Sequence, residues 1–442
     1  MLFYFQMKNK YFYLICFCLG FGQLMGQSNY TSYFTGNPAD VEASPLGGAV
    51  LMGGAGENDE AMTWFLNRAD GGDILVLRAS GADGYNDYLY SELGVSVNSV
   101  ETIVFNDWTA ASEPYILDKI ARAEAIWFAG GDQWDYVSYW RGTAVATSIN
   151  EAVEFRGAVI GGISAGMAIM GSIYFTAENG TVTSTQALNN PYHPNITLSG
   201  APFLDVPYMT NVITDTHYDD PDRKGRHTVF LARTLVDAGV NARGIACDEF
   251  TAVCIAPDGI ARIYGEYPSF DDNVYFLHTN CNDDGIGPEI MSNGSPMTWD
   301  VGGEALYVYQ VKGTTTGENT FDLNDWKSGT GGEWKAWSVE SGVFSEADSG
   351  EPACNPLSTD EFELAGITMY PNPAIDQVTL NWDNGSLQTL SVYSINGQKI
   401  AQYTANGVNQ IQFSTSGWAS GVYFVRAVST TGEVFIQKLL KS

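Results

Sequence analysis

A serine set between two glycines is the first feature of this sequence with chemical content. Gly162-Ile-Ser-Ala-Gly166 follows the apolar run Ala158-Val-Ile-Gly-Gly-Ile163 and leads into Ala165-Gly-Met-Ala-Ile-Met170, a run suited to opening a helix. Gly-x-Ser-x-Gly between a strand and a helix is the pattern of a nucleophile elbow, in which the glycines allow a turn tight enough to push the hydroxyl out of the sheet. The helix behind it would present backbone N–H groups and a positive dipole end to a developing oxyanion. The same pattern also suits a plain strand-to-helix turn whose serine only caps the helix.

A hydroxyl becomes a nucleophile only with a base beside it. The chain has four histidines. His193 sits in a Pro-flanked loop, His227 opens a predicted helix, and His278 falls in a β-rich stretch. His217 ends the apolar run of Val212-Ile-Thr-Asp-Thr-His-Tyr-Asp-Asp220, where a strand end would face the same sheet edge as Ser164. His217 is therefore the candidate base.

Holding these two groups together calls for a layered α/β framework. Residues 49–52, 73–77, 102–105, 125–128 and 158–160 are short, continuous apolar runs followed by Gly-containing turns, and 60–68 and 143–154 read as intervening helices. Continuous apolar strands alternating with helices predict a doubly wound, mostly parallel sheet covered on both faces. Ligands in such folds gather beyond the carboxyl ends of the strands.

Five ordered segments carry a family resemblance across about residues 46–266. They are Gly47-Gly-Ala-Val-Leu-Met-Gly-Gly-Ala-Gly-Glu57, Phe128-Ala-Gly-Gly-Asp-Gln133, Gly161-Gly-Ile-Ser-Ala-Gly166, Asp215-Thr-His-Tyr218 with Arg223-Lys-Gly-Arg226, and Gly244-Ile-Ala-Cys-Asp-Glu249. Together they resemble the cyanophycinase and dipeptidase E group of serine peptidases, whose fold is like class I glutamine amidotransferases. The resemblance implies Ser164 as nucleophile and His217 as general base. It implies an oxyanion hole from the backbone N–H of Ala165 and of the Gly131–Asp132 turn. Gln133, Asp215, Arg223 and Arg226 stand at substrate-binding positions. For the third triad member the family suggests an acid shortly after the serine; Glu178 fits, with Asp215 and Glu249 in reserve. The departures bear on specificity: Thr216 stands for a usual glutamine, Pro221 for the first of three arginines, and Met167 for a smaller residue. The implied reaction is hydrolysis of a peptide or isopeptide bond at an aspartyl residue. Two rivals remain, an α/β-hydrolase-type esterase and a catalytically idle binding module of the same fold. The esterase usually places its histidine far downstream, whereas His217 follows Ser164 by only 53 residues, 217 less 164.

The flanking segments speak to location. Residues 1–26 read as a signal peptide, with Lys8 and Lys10 before an apolar stretch too short to span a bilayer. Residues 267–355 are rich in Gly, Asn, Asp and Trp and read as a β-rich extension, and 356–365 as a linker. Residues 366–442 alternate short strands with turn signals and read as a small β-sandwich. Within it, Met369-Tyr-Pro-Asn-Pro373, Val392-Tyr-Ser-Ile-Asn-Gly-Gln398, Gly421-Val-Tyr-Phe-Val425 and the closing Lys438-Leu-Leu-Lys-Ser442 resemble the type IX secretion sorting domain of Bacteroidetes. That resemblance implies export through the periplasm and across the outer membrane by the type IX machinery, to a secreted or cell-surface location. A net charge of −30 opposes nucleic-acid binding and would draw a cationic substrate. No Cys-x-x-Cys pair occurs, so neither a metal nor another cofactor is expected. Cys247, Cys254, Cys281 and Cys354 would survive export and could form disulfides.

Overall fold

A computed structural model describes residues 28–201, 203–280, 286–352, 367–382, 386–394, 399–430 and 434–441. The expected signal peptide, the linker, Cys281 and Cys354 lie outside the described residues. The chain divides into two compact units, Met1–Cys354 and Asn355–Ser442.

The first unit is built on a ten-stranded sheet. Five parallel strands form its centre, in the order Ser99–Phe105, Asp73–Arg78, Ala125–Phe128, Val159–Ile163, Ala49–Met52. Every residue of the last three is buried, as their unbroken apolar runs predict. Alternate side chains feed two cores. Leu51, Phe128 and Ile160 pack with Tyr136, Trp140 and Ile149 from the helices Gln133–Trp140 and Ala144–Arg156. Val50, Trp127 and Val159 pack on the other face with Phe65 and Leu66 from the helix Asp59–Arg68. Helices on both faces make the sheet doubly wound. The antiparallel strand Tyr30–Gly36 closes one edge, and Ala252–Ile255 continues the sheet on the other side.

A second sheet has six strands, in the order Val343–Asp348, Gly332–Glu340, Leu306–Lys312, Asn273–Thr279, Arg243–Cys247, Val212–Asp215. His217 follows the last of these, so it belongs to a different sheet from Ser164 and not to a neighbouring strand of the same one. Residues after 266 do not form a separate insert. Four of their strands complete this second sheet, and Asn319–Asp322 with Gly329–Thr330 continues the first.

The disulfide expectation fails for Cys247 and Cys254. Both are free and fully buried, and burial pushes both thiols up. The second unit holds a three-stranded and a four-stranded antiparallel sheet around one core, with Val378, Leu380, Leu390, Val392 and Val425 at its centre. It is the small sandwich that its alternating pattern predicts.

Candidate active site

Ser164 stands where the strand Val159–Ile163 meets the short helix Ala165–Ala168, with φ +52° and ψ −114°. A positive φ at a residue with a side chain is strained and needs support from its surroundings. The Ser164 N–H donates to the Met52 carbonyl at 3.0 Å, and the Ser164 carbonyl accepts from Ala168 N at 2.9 Å. Gly166 permits the tight approach, because a Cβ there would fall 2.1 Å from the Phe128 carbonyl oxygen.

Three consecutive carbonyls after the strand Ala49–Met52 gather the site. Met52 O accepts from Ser164 N, Gly53 O from His217 N and Gly54 O from Phe250 N, each at 3.0 Å. The joint is tight: Gly54 has φ +134°, and a Cβ on it would lie 2.4 Å from the His217 ring. With the backbones held this way, Ser164 Oγ lies 2.8 Å from His217 Nε2 and His217 Nδ1 lies 2.5 Å from Glu249 Oε1. An ionised carboxylate can only accept, so Nδ1 carries the proton toward Glu249 and Nε2 is left to accept from the serine hydroxyl. The Glu249 N–H in turn donates to Asp219 Oδ1 at 2.9 Å.

The carboxylate on the imidazole is Glu249, not Glu178. Glu178 is exposed and lines a separate cavity of about 750 Å³ with Ile173, Arg233 and Asp237. The reason lies in strand pairing. Arg243–Cys247 runs parallel to Val212–Asp215, with Ala246 beside Asp215, so residues just beyond the two strand ends meet side by side. Proximity to the serine in sequence carried no such information. The signal that could have promoted Glu249 was its position just past the end of an apolar run.

The other expected residues divide. Gly131, Gln133, Ser164, Asp215, Arg223 and Arg226 all line one cavity of about 250 Å³ together with His217. Gln133 Nε2 donates to the Phe175 carbonyl at 3.4 Å. The Asp132 side chain caps its helix by accepting from Trp134 N at 2.9 Å, which leaves the Gly131–Asp132 turn only its backbone to offer. Ala165 is 2% exposed directly behind the serine.

Asp215 and Arg226 are committed to each other. Both are buried, and Arg226 holds Asp215 through two hydrogen bonds, Nε to Oδ2 at 2.9 Å and Nη2 to Oδ1. Burial would raise the Asp215 carboxyl, but the guanidinium outweighs it and keeps it below the ordinary carboxylate range. Arg226 Nη1 also donates to Thr181 Oγ1 at 3.1 Å and to the Val182 carbonyl, which fastens a cavity wall. Arg223 is different. Its Nη1 donates to the Thr216 carbonyl at 2.9 Å, while its buried Nε has no partner among the described residues. Burial and the neighbouring Arg226 push the Arg223 guanidinium down to about 10. Arg223 and Arg226 both face the Asp215 carboxylate, and Glu249 and Asp219 also act on Arg223.

Comparison with known proteins matches this arrangement to a family. Residues 83–260 match the model of Peptidase family S51, a span that includes Ser164, His217 and Glu249. The match covers less than half of the chain. Residues 368–442 match the secretion system C-terminal sorting domain. That tail directs the protein through the type IX machinery to the cell surface or extracellular space. A cyanophycinase from Synechococcus elongatus is 25% identical over 229 residues, 49% of this chain and 66% of that protein. The chain thus spans just under two thirds of the length of this relative. A peptidase structure from an acI-B1 Actinobacterium covers 64% of this chain and 98% of its own at TM-score 0.38 and 14% identity. A peptidase E protein from Listeria monocytogenes covers 50% and 98%, at TM-score 0.31 and 15% identity. Among the described residues, no cluster of His, Cys, Asp and Glu could hold a metal ion.

Proposed function

We propose that this protein is an exported serine peptidase of the cyanophycinase-like group, with Ser164 as nucleophile, His217 as general base and Glu249 as the acid that orients the base. The reading rests chiefly on the continuous Ser164–His217–Glu249 hydrogen-bond relay at one wall of a cavity. Ser164 attacks the scissile carbonyl while His217 Nε2 takes its proton; Glu249 keeps the imidazole in the accepting tautomer and stabilises the imidazolium that forms. The backbone N–H groups of Ala165 and Gly131 receive the oxyanion. His217 then returns the proton to the leaving amine, and water releases the acyl-enzyme by the same route reversed.

The substrate class is read from Arg223, a guanidinium lining the cavity. The net charge of −30 favours cations at a distance, but at the serine the partly free group is the Arg223 guanidinium. A fork of N–H donors suits a carboxylate. That supports a peptide or isopeptide bond at an aspartyl residue, with Arg223 reading the acidic group and Gln133 facing the same space. Arg226 and Asp215 shape the cavity and leave the substrate to Arg223.

Two measurements test this. A fluorophosphonate probe should label the purified protein and fail to label Ser164→Ala; absence of labelling in the parent would favour an idle binding module. A digestion panel of aspartyl dipeptides, isoaspartyl peptides and cyanophycin, read by mass spectrometry, should give cleavage beside aspartyl residues. Cleavage confined to simple esters would point to an esterase.

A further inference from the structure

Directly before the triad acid stands a buried carboxyl that the reaction as described does not use. Asp248 is 2% exposed. Its Oδ2 accepts from both the backbone N–H and the side-chain Nδ2 of Asn273, at 3.0 and 3.1 Å, and its own N–H donates to the Asn273 carbonyl at 3.0 Å. Its carbonyl accepts from Thr251 Oγ1 at 2.7 Å and lies 2.0 Å from where a Cβ on Gly53 would be. Asp248 therefore ties together the Asn273 strand, the turn that carries Glu249 and the glycine joint that holds His217.

Its second oxygen, Oδ1, is buried without a hydrogen-bond partner among the described residues. An unsatisfied buried carboxyl oxygen is costly to keep, so an uncharged residue would serve better if only packing were at stake. The groups facing it are Asp219, Lys224, Tyr218, Tyr275 and Cys247, with Glu249 next in the chain. Asp219 is also the acceptor for the Glu249 N–H, so the triad acid sits between two further carboxyls. Burial, then Asp219, push Asp248 up to about 7.

We propose that Asp248 is a positioning residue for the triad acid: it fixes the turn presenting Glu249 and thereby the contact that Glu249 makes with His217. The inference rests on the relay of Ser164, His217 and Glu249 being catalytic.

The test is the rate of fluorophosphonate labelling of the full chain between pH 5 and 9. Asp248→Asn keeps an acceptor for Asn273 and removes the charge. Because the tie to Asn273 survives, it should label within a few-fold of the parent, whereas Asp248→Ala, which breaks that tie, should label at least about ten-fold more slowly. Asn273→Ala leaves the carboxyl but removes one of its donors, so it should slow labelling in the same direction as Asp248→Ala. Asn273→Ala also carries the test if Asp248→Ala does not fold. Labelling unchanged in folded Asp248→Ala and Asn273→Ala, with Ser164-dependent labelling intact, overturns the role of Asp248 alone. Labelling that persists in Ser164→Ala overturns the underlying relay instead.

Discussion

Ser164 and His217 each hold a positive φ, +52° and +47°, and their side chains meet at 2.8 Å. Strain of this kind costs on the order of 1–3 kcal/mol per residue and persists only where surrounding bonds enforce it. In the proposed mechanism the orienting acid contributes through the tautomer of His217. Glu249→Gln should lower the labelling rate by about 10²–10⁴-fold with little change in folding, whereas Glu178→Gln should leave it near that of the parent; the reverse outcome would return the role to Glu178. Two buried carboxyls should also give opposite pH dependences of stability. Asp215 is held low by Arg226, so its contribution is present above the ordinary carboxylate pKa and is lost as pH falls through its depressed value. Asp248 is held high, so folding loses stability as pH rises from about 4 toward its folded value of about 7. Asp248→Asn should accordingly gain thermal stability over the parent at pH 8 and little at pH 4, measured by calorimetry.

The elements place these residues through backbone contacts more than through side chains. The three carbonyls of Met52, Gly53 and Gly54 hold the serine elbow, the histidine loop and the turn of the acid. Gly54→Ala should therefore reduce labelling by at least 10²-fold, because its methyl would occupy the space of the imidazole. Unimpaired labelling would mean that the joint yields easily. The Asp215–Arg226 pair acts on the second sheet and on the loop at Thr181. Arg226→Ala removes the bidentate partner of a buried carboxylate, leaving it Arg223 Nη1 at 4.0 Å and the Thr216 N–H, and should cost about 3 kcal/mol in a denaturant titration, more than Arg223→Ala.

At the scale of the whole molecule the sorting tail governs destination, while the proposed chemistry lies in the segment that matches peptidase family S51. Deleting residues 366–442 should strand the protein in the periplasm with its fluorophosphonate reactivity retained, measured by fractionation of cells; secretion unchanged by the deletion would refute the tail's role. The strongly acidic balance belongs to this scale as well. It acts over distances at which salt screens it, while the Arg223 guanidinium acts at contact range inside the cavity.

The parallel strands around Ser164 were legible because a strand buried on both faces must be apolar along its whole length, and the elbow because glycines must flank so sharp a turn. The sandwich of the second unit was legible from alternation alone. Three things were decided only in three dimensions. His217 reaches the serine from a second sheet, Glu249 takes the place expected of Glu178, and Arg226 spends its charge on Asp215. Local sequence constrains local backbone, but a carboxylate meets an imidazole or a guanidinium through strand pairing between distant segments. That pairing emerges when the two sheets pack, and no spacing along the chain encodes it.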